Sequence, residues 1–432
     1  MGFLLRPVLP VDQTLGRFKN KLRGQMGFSQ AALEPAGHWG LAQDPQNHGQ
    51  LSQDQEKEME QLLSIGYLSG SKPGPDLSGI TSMDATEASG NLRYFTSGHA
   101  PCAELMDPAG RILHRWQYSY DQCRQDGAEA GLIFPVDTKS VTDCWRRAHL
   151  LPGGEILAIF EGHGLVKIDR DSRWIWGFPD RCHHDLELAP DGSIFVLTRD
   201  AAILPRIHPD KPVLLDFIVH LSPEGKVIDT IDLLVAIENS VYASMLDFAK
   251  EAGDIFHTNT LELLDGKNAH RSPVFSEGNF LISIRELNTI AIVDPKLKQV
   301  VWALSGMWVA QHQPVLLDNG NILLFDNLGH RGRSKVVEFD PLTQEVAWTY
   351  ADGPNGSLYS KTCGSCQRLP SGNTLITESD NGRVIEVTPT GQIVWEHRNP
   401  RRTGQNKELI AATLEMVILP EDYSADWLSA IP

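Results

Sequence analysis

Apolar runs separated by tight turns repeat along the central part of this chain. The clearest copy, residues 311–327 (QHQPVLLDNGNILLFDN), has a histidine before an apolar run, an Asp-Asn-Gly-Asn turn and a second apolar run. Turn residues between two such runs predict a β-hairpin. The same strand–turn–strand pattern recurs in residues 151–157 (LPGGEIL), 184–197 (HDLELAPDGSIFVL), 276–282 (SEGNFLI) and 369–376 (LPSGNTLI). A unit repeated in this way predicts an array of like elements around one core.

A second hairpin pattern alternates with the first. It consists of a strand that ends in Asp or a small residue, a turn, and a strand that often closes on tryptophan. The copies are residues 105–116, 167–176, 220–231, 292–302, 338–348 and 386–395. We interpret the closing tryptophans as packing between neighbouring sheets rather than as ligand platforms; they are Trp116, Trp176, Trp302, Trp348 and Trp395. Each long unit is therefore two hairpins, or four strands.

The repeats predict an all-β protein, a six-bladed β-propeller over residues 88–422, with a short N-terminal arm (1–87) and a C-terminal tail (423–432). The first hairpin is incomplete in one unit, and the apolar segment at residues 411–422 can complete it. We expect this segment to be the innermost strand of the blade that begins near residue 92. The N- and C-terminal strands would then close the ring in one blade and leave no open sheet edge. In the arm, residues 52–65 (SQDQEKEMEQLLSI) predict a helix.

Composition narrows the class of protein. Of the 432 residues, 41% are hydrophobic and 22% are charged, as in ordinary soluble globular proteins. The net charge of −17 argues against a nucleic-acid or anionic-membrane surface, which needs basic patches, although a local cluster of arginine and histidine can still bind an anion. We find no run of about 18 apolar residues that predicts a membrane span. The apolar start is broken by Arg6 and two prolines, which is a poor secretory signal.

Cysteine usage predicts neither a disulfide scaffold nor a structural zinc site. Six cysteines are spread over 432 residues. Cys363 and Cys366 form a Cys-x-x-Cys pair without a partner pair at zinc-ribbon spacing. We expect a local disulfide or a reduced pair.

Polar residues at the heads of the predicted inner strands are the candidate site. In a propeller these strands line the central channel, and counting back from the turns places His184 and His312 at the same position. His257 and Asn259 are two residues apart, so on a strand they point to one side. Arg285 is predicted to lie within an apolar strand region, where an unpaired guanidinium is costly. We expect these residues, from separate blades, to meet in one pocket.

Four ordered motifs resemble those of the bacterial arylsulfate sulfotransferases, six-bladed propellers that move a sulfuryl group between phenols without a nucleotide sulfate donor. The motifs are HHD (183–185), HTN (257–259), ISIR (282–285), and QH followed by LFDN (311–327). The resemblance implies that His312 is the nucleophile that becomes sulfated. It implies that Arg285, His257 and Asn259 hold the sulfuryl oxygens, that His183 also binds substrate, and that His184 binds sulfate or handles a proton.

The resemblance further implies an aryl sulfate donor, a phenolic acceptor, no cofactor and no metal, and a periplasmic location. A covalent route in two steps predicts ping-pong kinetics. The sequence leaves the natural substrates and a homodimer open. Gln313 follows His312 where the family tends to show Asp, which would change how the imidazole is oriented.

Two other classes of function remain open. The histidines could bind a metal at the propeller axis, in a metal-dependent hydrolase, lyase or oxidoreductase, because imidazole suits zinc, iron or copper. Against this, Arg285 would repel a cation, and Asp185 is the only carboxylate predicted to lie with the cluster. A binding or scaffold propeller without catalysis is the third class, but a scaffold does not need an arginine and three histidines at the channel mouth. We favour sulfuryl transfer.

Overall fold

The structure is a computed structural model that describes residues 51–64, 71–136, 143–353 and 356–430. Most of the predicted N-terminal arm, including residues 1–50, lies outside the described residues. Within the arm, helix α1 spans Gln53–Leu63. This agrees with the helix predicted over residues 52–65, of which residue 65 is not described.

Strands, nearly all of them paired antiparallel, are the main secondary structure of the described chain, which confirms a mostly-β fold. The apolar runs form strands because β-branched and aromatic side chains fit a pleated, buried surface. In chain order the strands are β1 (Lys72–Pro73), β2 (Gly79–Met83), β3 (Arg93–Ser97), β4 (Cys102–Met106), β5 (Ile112–Gln117), β6 (Arg147–Leu150), β7 (Ile156–Phe160), β8 (Gly164–Ile168), β9 (Trp174–Phe178), β10 (Cys182–Leu188), β11 (Ile194–Ala202), β12 (Val213–Leu221), β13 (Val227–Asp232), β14 (Gly253–Asp254), β15 (Thr258–Leu263), β16 (Phe280–Ile284), β17 (Thr289–Asp294), β18 (Gln299–Ser305), β19 (His312–Leu316), β20 (Ile322–His330), β21 (Arg333–Phe339), β22 (Val346–Tyr350), β23 (Asp352–Gly353), β24 (Gly356–Ser357), β25 (Ser365–Arg368), β26 (Thr374–Glu378), β27 (Arg383–Val387), β28 (Ile393–Arg398), β29 (Arg402–Thr403), β30 (Leu409–Ile410) and β31 (Thr413–Ile418).

Six sheets in the described chain contain four or five of these strands. Sheet 1 is β31-β3-β4-β5, sheet 2 is β6-β7-β8-β9, sheet 3 is β10-β11-β12-β13 with β14 beside β12, sheet 4 is β15-β16-β17-β18, sheet 5 is β19-β20-β21-β22, and sheet 6 is β25-β26-β27-β28-β2. Each of sheets 2 to 6 is built from two hairpins in succession, as the alternating repeats predict. Two smaller sheets are β1-β30-β29 and β23-β24.

Sheet 1 combines strands from the two ends of the described chain. β31 pairs antiparallel with β3, with Tyr94 opposite Val417. This confirms the predicted pairing of the apolar segment at residues 411–422 with the strand near residue 92. β2 lies within residues 1–87 and pairs with β28 as the fifth strand of sheet 6.

A glycine in the left-handed conformation closes the first hairpin of each of sheets 2 to 6. The five are Gly154 (φ 83°), Gly192 (φ 84°), Gly278 (φ 86°), Gly320 (φ 80°) and Gly372 (φ 89°). Glycine adopts this conformation at little steric cost because it has no Cβ. The turn motifs of the sequence therefore correspond to one backbone requirement repeated five times.

Indole N–H groups join consecutive sheets. The Nε1 atoms donate to backbone carbonyls in hairpin turns, Trp116 to Gly154 (2.8 Å), Trp176 to Pro223 (3.0 Å), Trp348 to Pro389 (2.8 Å) and Trp395 to Pro108 (2.9 Å). Each acceptor turn belongs to the next sheet, and sheet 6 contacts sheet 1 in this way. Trp302 packs in the apolar cluster between sheets 4 and 5. The structural interpretation of the tryptophans is confirmed.

Helices are few in the described chain. α2 spans Tyr120–Glu129 and begins with a capping box between Ser119 and Gln122, and α3 spans Leu233–Glu238. Short 3₁₀ helices span Ala243–Phe248, Pro273–Phe275, Arg285–Leu287, Ser379–Asn381 and Asp426–Ala430. No helix in these described ranges has both the length and the apolar composition to cross a membrane.

Candidate active site

The predicted site residues lie at one end of the first strands of sheets 3, 4 and 5. His184 lies in β10, His257 immediately precedes β15, and His312 is the first residue of β19. Asn259 lies in β15, and Arg285 follows the last residue of β16. These strand ends lie opposite the glycine turns, so the site is at the far end of each first hairpin from its turn.

The backbone at this level is irregular in all three strands. His184 (φ 53°), His257 (φ 51°) and Gln313 (φ 49°) are left-handed, which is unfavourable for residues with a Cβ and occurs often at functional sites. The sequence register predicts that His184 and His312 are equivalent, but the left-handed residue of β19 is Gln313. The reason is that the bulges of the two strands differ in length. In β10, four residue steps lie opposite two steps of the partner strand β11, whereas in β19 three residue steps lie opposite two steps of its partner β20. The two histidines are therefore offset by one bulged residue.

The histidines of sheets 3 and 4 contact each other. The ring centroids of His184 and His257 are 4.9 Å apart. His183 and His184 have Nδ1 atoms 2.9 Å apart and ring planes at 89°. The positive charge that His257 would carry lowers the pKa of both His184 and His312 after the larger effect of burial, so the rings share one electrostatic environment.

Gln311 holds the strand heads of sheets 4 and 5 together. Its side-chain amide donates to the carbonyl of Ile284 (3.2 Å), the residue before Arg285. The backbone carbonyl of Gln311 accepts a hydrogen bond from the Asn259 side chain (2.9 Å). Both contacts are buried. The residue before His312 therefore fixes the strand ends that carry Asn259 and Arg285.

His312 is held in one tautomer. Its Nδ1 lies 2.8 Å from Oδ1 of Asn327 and 3.1 Å from the carbonyl of Ala310. The Asn327 amide nitrogen donates to the carbonyls of Ser360 (2.8 Å) and Cys363 (2.7 Å), which fixes its oxygen toward the ring. Both neighbours of Nδ1 are acceptors, so Nδ1 carries the proton and Nε2 carries the lone pair. Nε2 makes no hydrogen bond with the described part of the chain.

Two carboxylates, the partly exposed Asp254 and the buried Asp216, lie beside the other imidazoles. Nδ1 of His257 lies 2.8 Å from Oδ2 of Asp254. Nε2 of His183 lies 3.5 Å from Oδ1 of Asp216, whose other oxygen accepts the N–H of Thr258 (2.7 Å). Burial, then the charge of Asp254, raises the pKa of Asp216 to about 7. Sequence reasoning missed both aspartates, because neither belongs to a repeated motif.

The imidazoles of the cluster are neutral at pH 7. Burial lowers the pKa of His183, His184 and His312 well below the ordinary 6.5. Burial also lowers the pKa of His257, although Asp254 offsets part of that effect. A neutral imidazole is a nucleophile or a proton acceptor, and positive charge in the cluster therefore comes from arginine.

Arg285 does not lie within an apolar strand, which corrects the expectation from the sequence. Residues 285–288 form the turn between β16 and β17, with Asn288 left-handed at the end of the turn (φ 48°). The backbone N–H of Arg285 donates to the backbone carbonyl of His257 (3.3 Å). The side chain is 21% exposed and pairs with Glu286. Its guanidinium lowers the pKa of His312, after burial and Arg146.

Arg146 is a second guanidinium beside the histidines, and sequence reasoning did not select it. It directly precedes β6, the first strand of sheet 2, and is 5% exposed. Its Nε is 4.0 Å from Oε2 of Glu161, which also accepts the N–H of His184 (3.2 Å). Arg199 lies 3.7 Å from the other oxygen of Glu161. The sequence signal was an arginine at the head of an apolar strand (WRRAHLL).

Arg147 joins the first strands of four sheets. Its Nη2 lies 2.8 Å from Asp185 Oδ1 and 2.9 Å from Gln313 Oε1, and its Nη1 pairs with Glu415. These partners come from sheets 3, 5 and 1, and Arg147 itself lies in sheet 2. The Gln313 side chain therefore bonds to Arg147, and Asn327 orients His312 in its place.

One group of described residues has metal-ligand spacing. Glu161, His183 and His184 offer ligand atoms within 4.8 Å of one another. The Glu161 carboxylate faces the guanidinium groups of Arg146 and Arg199. Two cations on one carboxylate oppose the binding of a third, so these donors do not favour a metal centre.

The six cysteines are free and buried. Cys363 and Cys366 are therefore a reduced pair, one of the two states expected from the sequence. Burial raises the pKa of both thiols, that of Cys366 to about 12. Neither thiol is a thiolate at neutral pH, so neither acts as a nucleophile there.

Comparison with known proteins gives one family. Residues 147–400, more than half of the chain, match the family model described as Arylsulfotransferase (ASST). This range contains each predicted site residue. A search of curated proteins gave no match.

Three solved structures show a distant likeness to this chain. A protein of unknown function from Bacteroides caccae is 14% identical, with a TM-score of 0.44 over 72% of this chain and 94% of that chain. A streptogramin B lyase is 13% identical, with a TM-score of 0.42 over 82% and 95% of the two chains. The WD40 β-propeller domain of Doa1 is 13% identical, with a TM-score of 0.40 over 79% and 99%. Likeness at this level says nothing about the site.

Proposed function

This chain belongs to the arylsulfotransferase family, and we propose that it moves a sulfuryl group from an aryl sulfate to a phenol through a sulfohistidine on His312. The observation that carries this proposal is the setting of His312. Two acceptors hold the Nδ1 proton, and the lone pair is left on Nε2 of a buried, neutral ring.

In the first half-reaction, Nε2 of His312 attacks the sulfur atom of the donor. An N–S bond forms, the S–O bond to the aryl group breaks, and the aryl oxygen leaves with the electron pair as a phenolate. Positive charge develops on the imidazole, and the oxygens of Asn327 and Ala310 stabilise it through the Nδ1 proton. A neutral nucleophile gives an imidazolium-like adduct, which readily passes the group on.

Charge on the three sulfuryl oxygens needs fixed donors. Arg285 supplies a guanidinium beside His312, and the Asn259 amide uses one N–H on Gln311 and has a second to donate. His184 completes the pocket from sheet 3. His183 is 1% exposed and lies between His184 and Asp216, so we assign it to positioning His184 rather than to substrate contact.

In the second half-reaction, the oxygen of the acceptor phenol attacks the sulfur atom and the N–S bond breaks, with its electron pair returning to Nε2. The phenol proton goes to His257. Asp254 holds Nδ1–H of that ring, so the lone pair is on Nε2, and the carboxylate stabilises the imidazolium that forms. Donor and acceptor use the site in turn, which gives ping-pong kinetics.

We also propose that sheets 1 to 6 are the blades of one six-bladed β-propeller spanning residues 88–422. The pairing of β31 with β3 and the hydrogen bond from Trp395 to Pro108 support a ring closed within sheet 1. This architecture points the heads of the first strands at one axis. It explains why residues from four sheets bond to each other around Arg147.

Nitrophenol release tests the activity. Purified protein is incubated with 4-nitrophenyl sulfate at several concentrations of phenol. We expect release that accelerates with phenol, parallel double-reciprocal lines, and loss of both in His312→Asn. Phenol-dependent release that survives in a folded His312→Asn protein would overturn the assignment of the nucleophile.

A further inference from the structure

We propose that Arg146 is a second guanidinium that binds the sulfuryl group, from the side of the pocket opposite Arg285. The inference rests on the proposed function and adds a substrate-binding residue to it. Arg146 directly precedes the first strand of sheet 2, and its N–H donates to the carbonyl of Ile159 (2.9 Å). It therefore lies at the same strand end as His184 and His312.

The hydrogen bonding of Arg146 is incomplete. The residue is 5% exposed, yet its side-chain nitrogens make no hydrogen bond with the described residues, and its Nε is buried. The neighbouring Glu161 oxygen is 4.0 Å away, which is beyond hydrogen-bond distance. Buried donors are nearly always satisfied, and a buried charge needs a partner. A bound anion would supply both.

Glu161 is the only described carboxylate within ion-pair distance of Arg146, and other groups share it. Arg199 is 3.7 Å from Oε1, and the N–H of His184 donates to Oε2 (3.2 Å). Glu161 is therefore shared with other groups, and its nearest oxygen stays beyond hydrogen-bond distance of Arg146. Arg147 differs in this respect, since Asp185 and Glu415 both pair with it.

The charge of Arg146 reaches the reacting histidines. Burial is the main reason that the pKa of His312 is low, and among the charged neighbours Arg146 lowers it more than Arg285 does. Arg146 is also the charged neighbour that lowers the pKa of His184 most. Sheets 2 and 4, which carry Arg146 and Arg285, both pack against sheet 3.

The reaction explains why two guanidiniums are useful. Negative charge lies on three sulfuryl oxygens, and neutral imidazoles cannot balance it. Glu286 pairs with Arg285, so part of the positive charge of Arg285 is already neutralised. A donor approached by Arg146 from sheet 2 and by Arg285 from sheet 4 would present its sulfur atom between them to Nε2 of His312.

Donor binding without turnover tests this role. In a His312→Asn background, the affinity for 4-nitrophenyl sulfate is measured by calorimetry with and without Arg146→Gln. We expect Arg146→Gln to weaken binding by about 10- to 100-fold, the effect of one charge-assisted hydrogen bond. Arg146→Lys keeps the charge and should weaken binding less. Arg199→Gln is the matched control, because it also removes a guanidinium from Glu161 but should change affinity less than about threefold.

Turnover distinguishes the two proposals. Otherwise wild-type protein with Arg146→Ala should lose donor kcat/KM by about 100-fold or more, and added guanidinium chloride at millimolar concentration should restore part of it, which a folding defect would not show. If the wild type transfers sulfuryl groups and folded Arg146→Gln and Arg146→Lys bind the donor as tightly as their parent, the inference about Arg146 is wrong and the proposed function stands. If the wild type neither binds the donor nor transfers, both proposals are wrong.

Discussion

Replacing Asn327 by leucine tests how the nucleophile is oriented. Asn327 is fully buried, and its amide makes hydrogen bonds to His312 Nδ1 and to the carbonyls of Ser360 and Cys363. Leucine has the same number and branching of side-chain heavy atoms and makes none of these hydrogen bonds. The Ser360 carbonyl keeps the hydroxyl of Ser334 at 3.1 Å, so the Cys363 carbonyl is the group that loses its donor.

The expected magnitudes follow from these contacts. One buried carbonyl without a donor costs about 1–3 kcal/mol of stability. The ring keeps the Ala310 carbonyl at 3.1 Å, so Nδ1–H is weakened but not released. Loss of a hydrogen bond to a developing charge is worth about 1.5–3 kcal/mol, which lowers kcat/KM for the donor about 10- to 100-fold.

The assay combines urea denaturation, donor kcat/KM and ¹⁵N shifts of the His312 ring. We expect the wild-type ring to be the Nδ1–H tautomer and the Asn327→Leu ring to be mixed. Asn399→Leu is the matched control. Asn399 is also fully buried, and its side-chain amide donates a hydrogen bond to Ser97 (2.8 Å) in sheet 1, whereas His312 lies in sheet 5. It should lose stability and keep its activity per folded molecule. Unchanged kcat/KM in folded Asn327→Leu would refute the reasoning.

Three further outcomes are expected. Asp254→Asn should slow the acceptor step about 10-fold or more while the initial burst of 4-nitrophenol persists, because His257 takes its proton only in the second half-reaction. Stopped-flow absorbance measures both the burst and the acceptor step. Loss of the burst would contradict the assignment of His257. Because burial lowers the pKa of His312 well below 6.5, its ring stays neutral to lower pH, so donor kcat/KM should be constant as pH falls to 6.5 and should decline only below it. A half-maximum at or above pH 6.5 would show an ordinary imidazole instead. Trp395→Phe removes a hydrogen bond to sheet 1 and should lower the free energy of unfolding by about 1 kcal/mol. Trp302→Phe should lower it less, because Trp302 has no such bond in the described chain. Equal losses in urea titrations would argue against this contact between sheets.

The sequence predicted the sheets because their signals are local. Each first hairpin needs a left-handed residue at its turn, and the glycines at those positions recur in register. The tryptophans recur for a similar reason, since four of the five indoles donate a hydrogen bond to a turn of the next sheet. Even the pairing of β31 with β3 could be predicted, because residues 411–422 supply the one strand that the repeats lack.

The site was predicted less completely because its hydrogen bonds join residues far apart in the chain. His312, His257 and His184 carry motif signals, but the partners that fix them do not. Asn327 was visible only as part of a motif, and Asp254 precedes His257 without any repeated pattern. Arg285 shows the limit of reading an apolar run as one strand, because a left-handed residue three positions later ends the run in a turn.

Mapping the covalent adduct tests the sulfohistidine. Protein is mixed with 4-nitrophenyl sulfate without acceptor, quenched in alkali, where N–S bonds to imidazole persist longest, digested and sequenced by mass spectrometry. We predict one sulfuryl group on His312, lost when phenol is added before the quench and missing in His312→Asn. A sulfuryl group on another residue that disappears with phenol, or turnover without any adduct, would contradict the proposed mechanism.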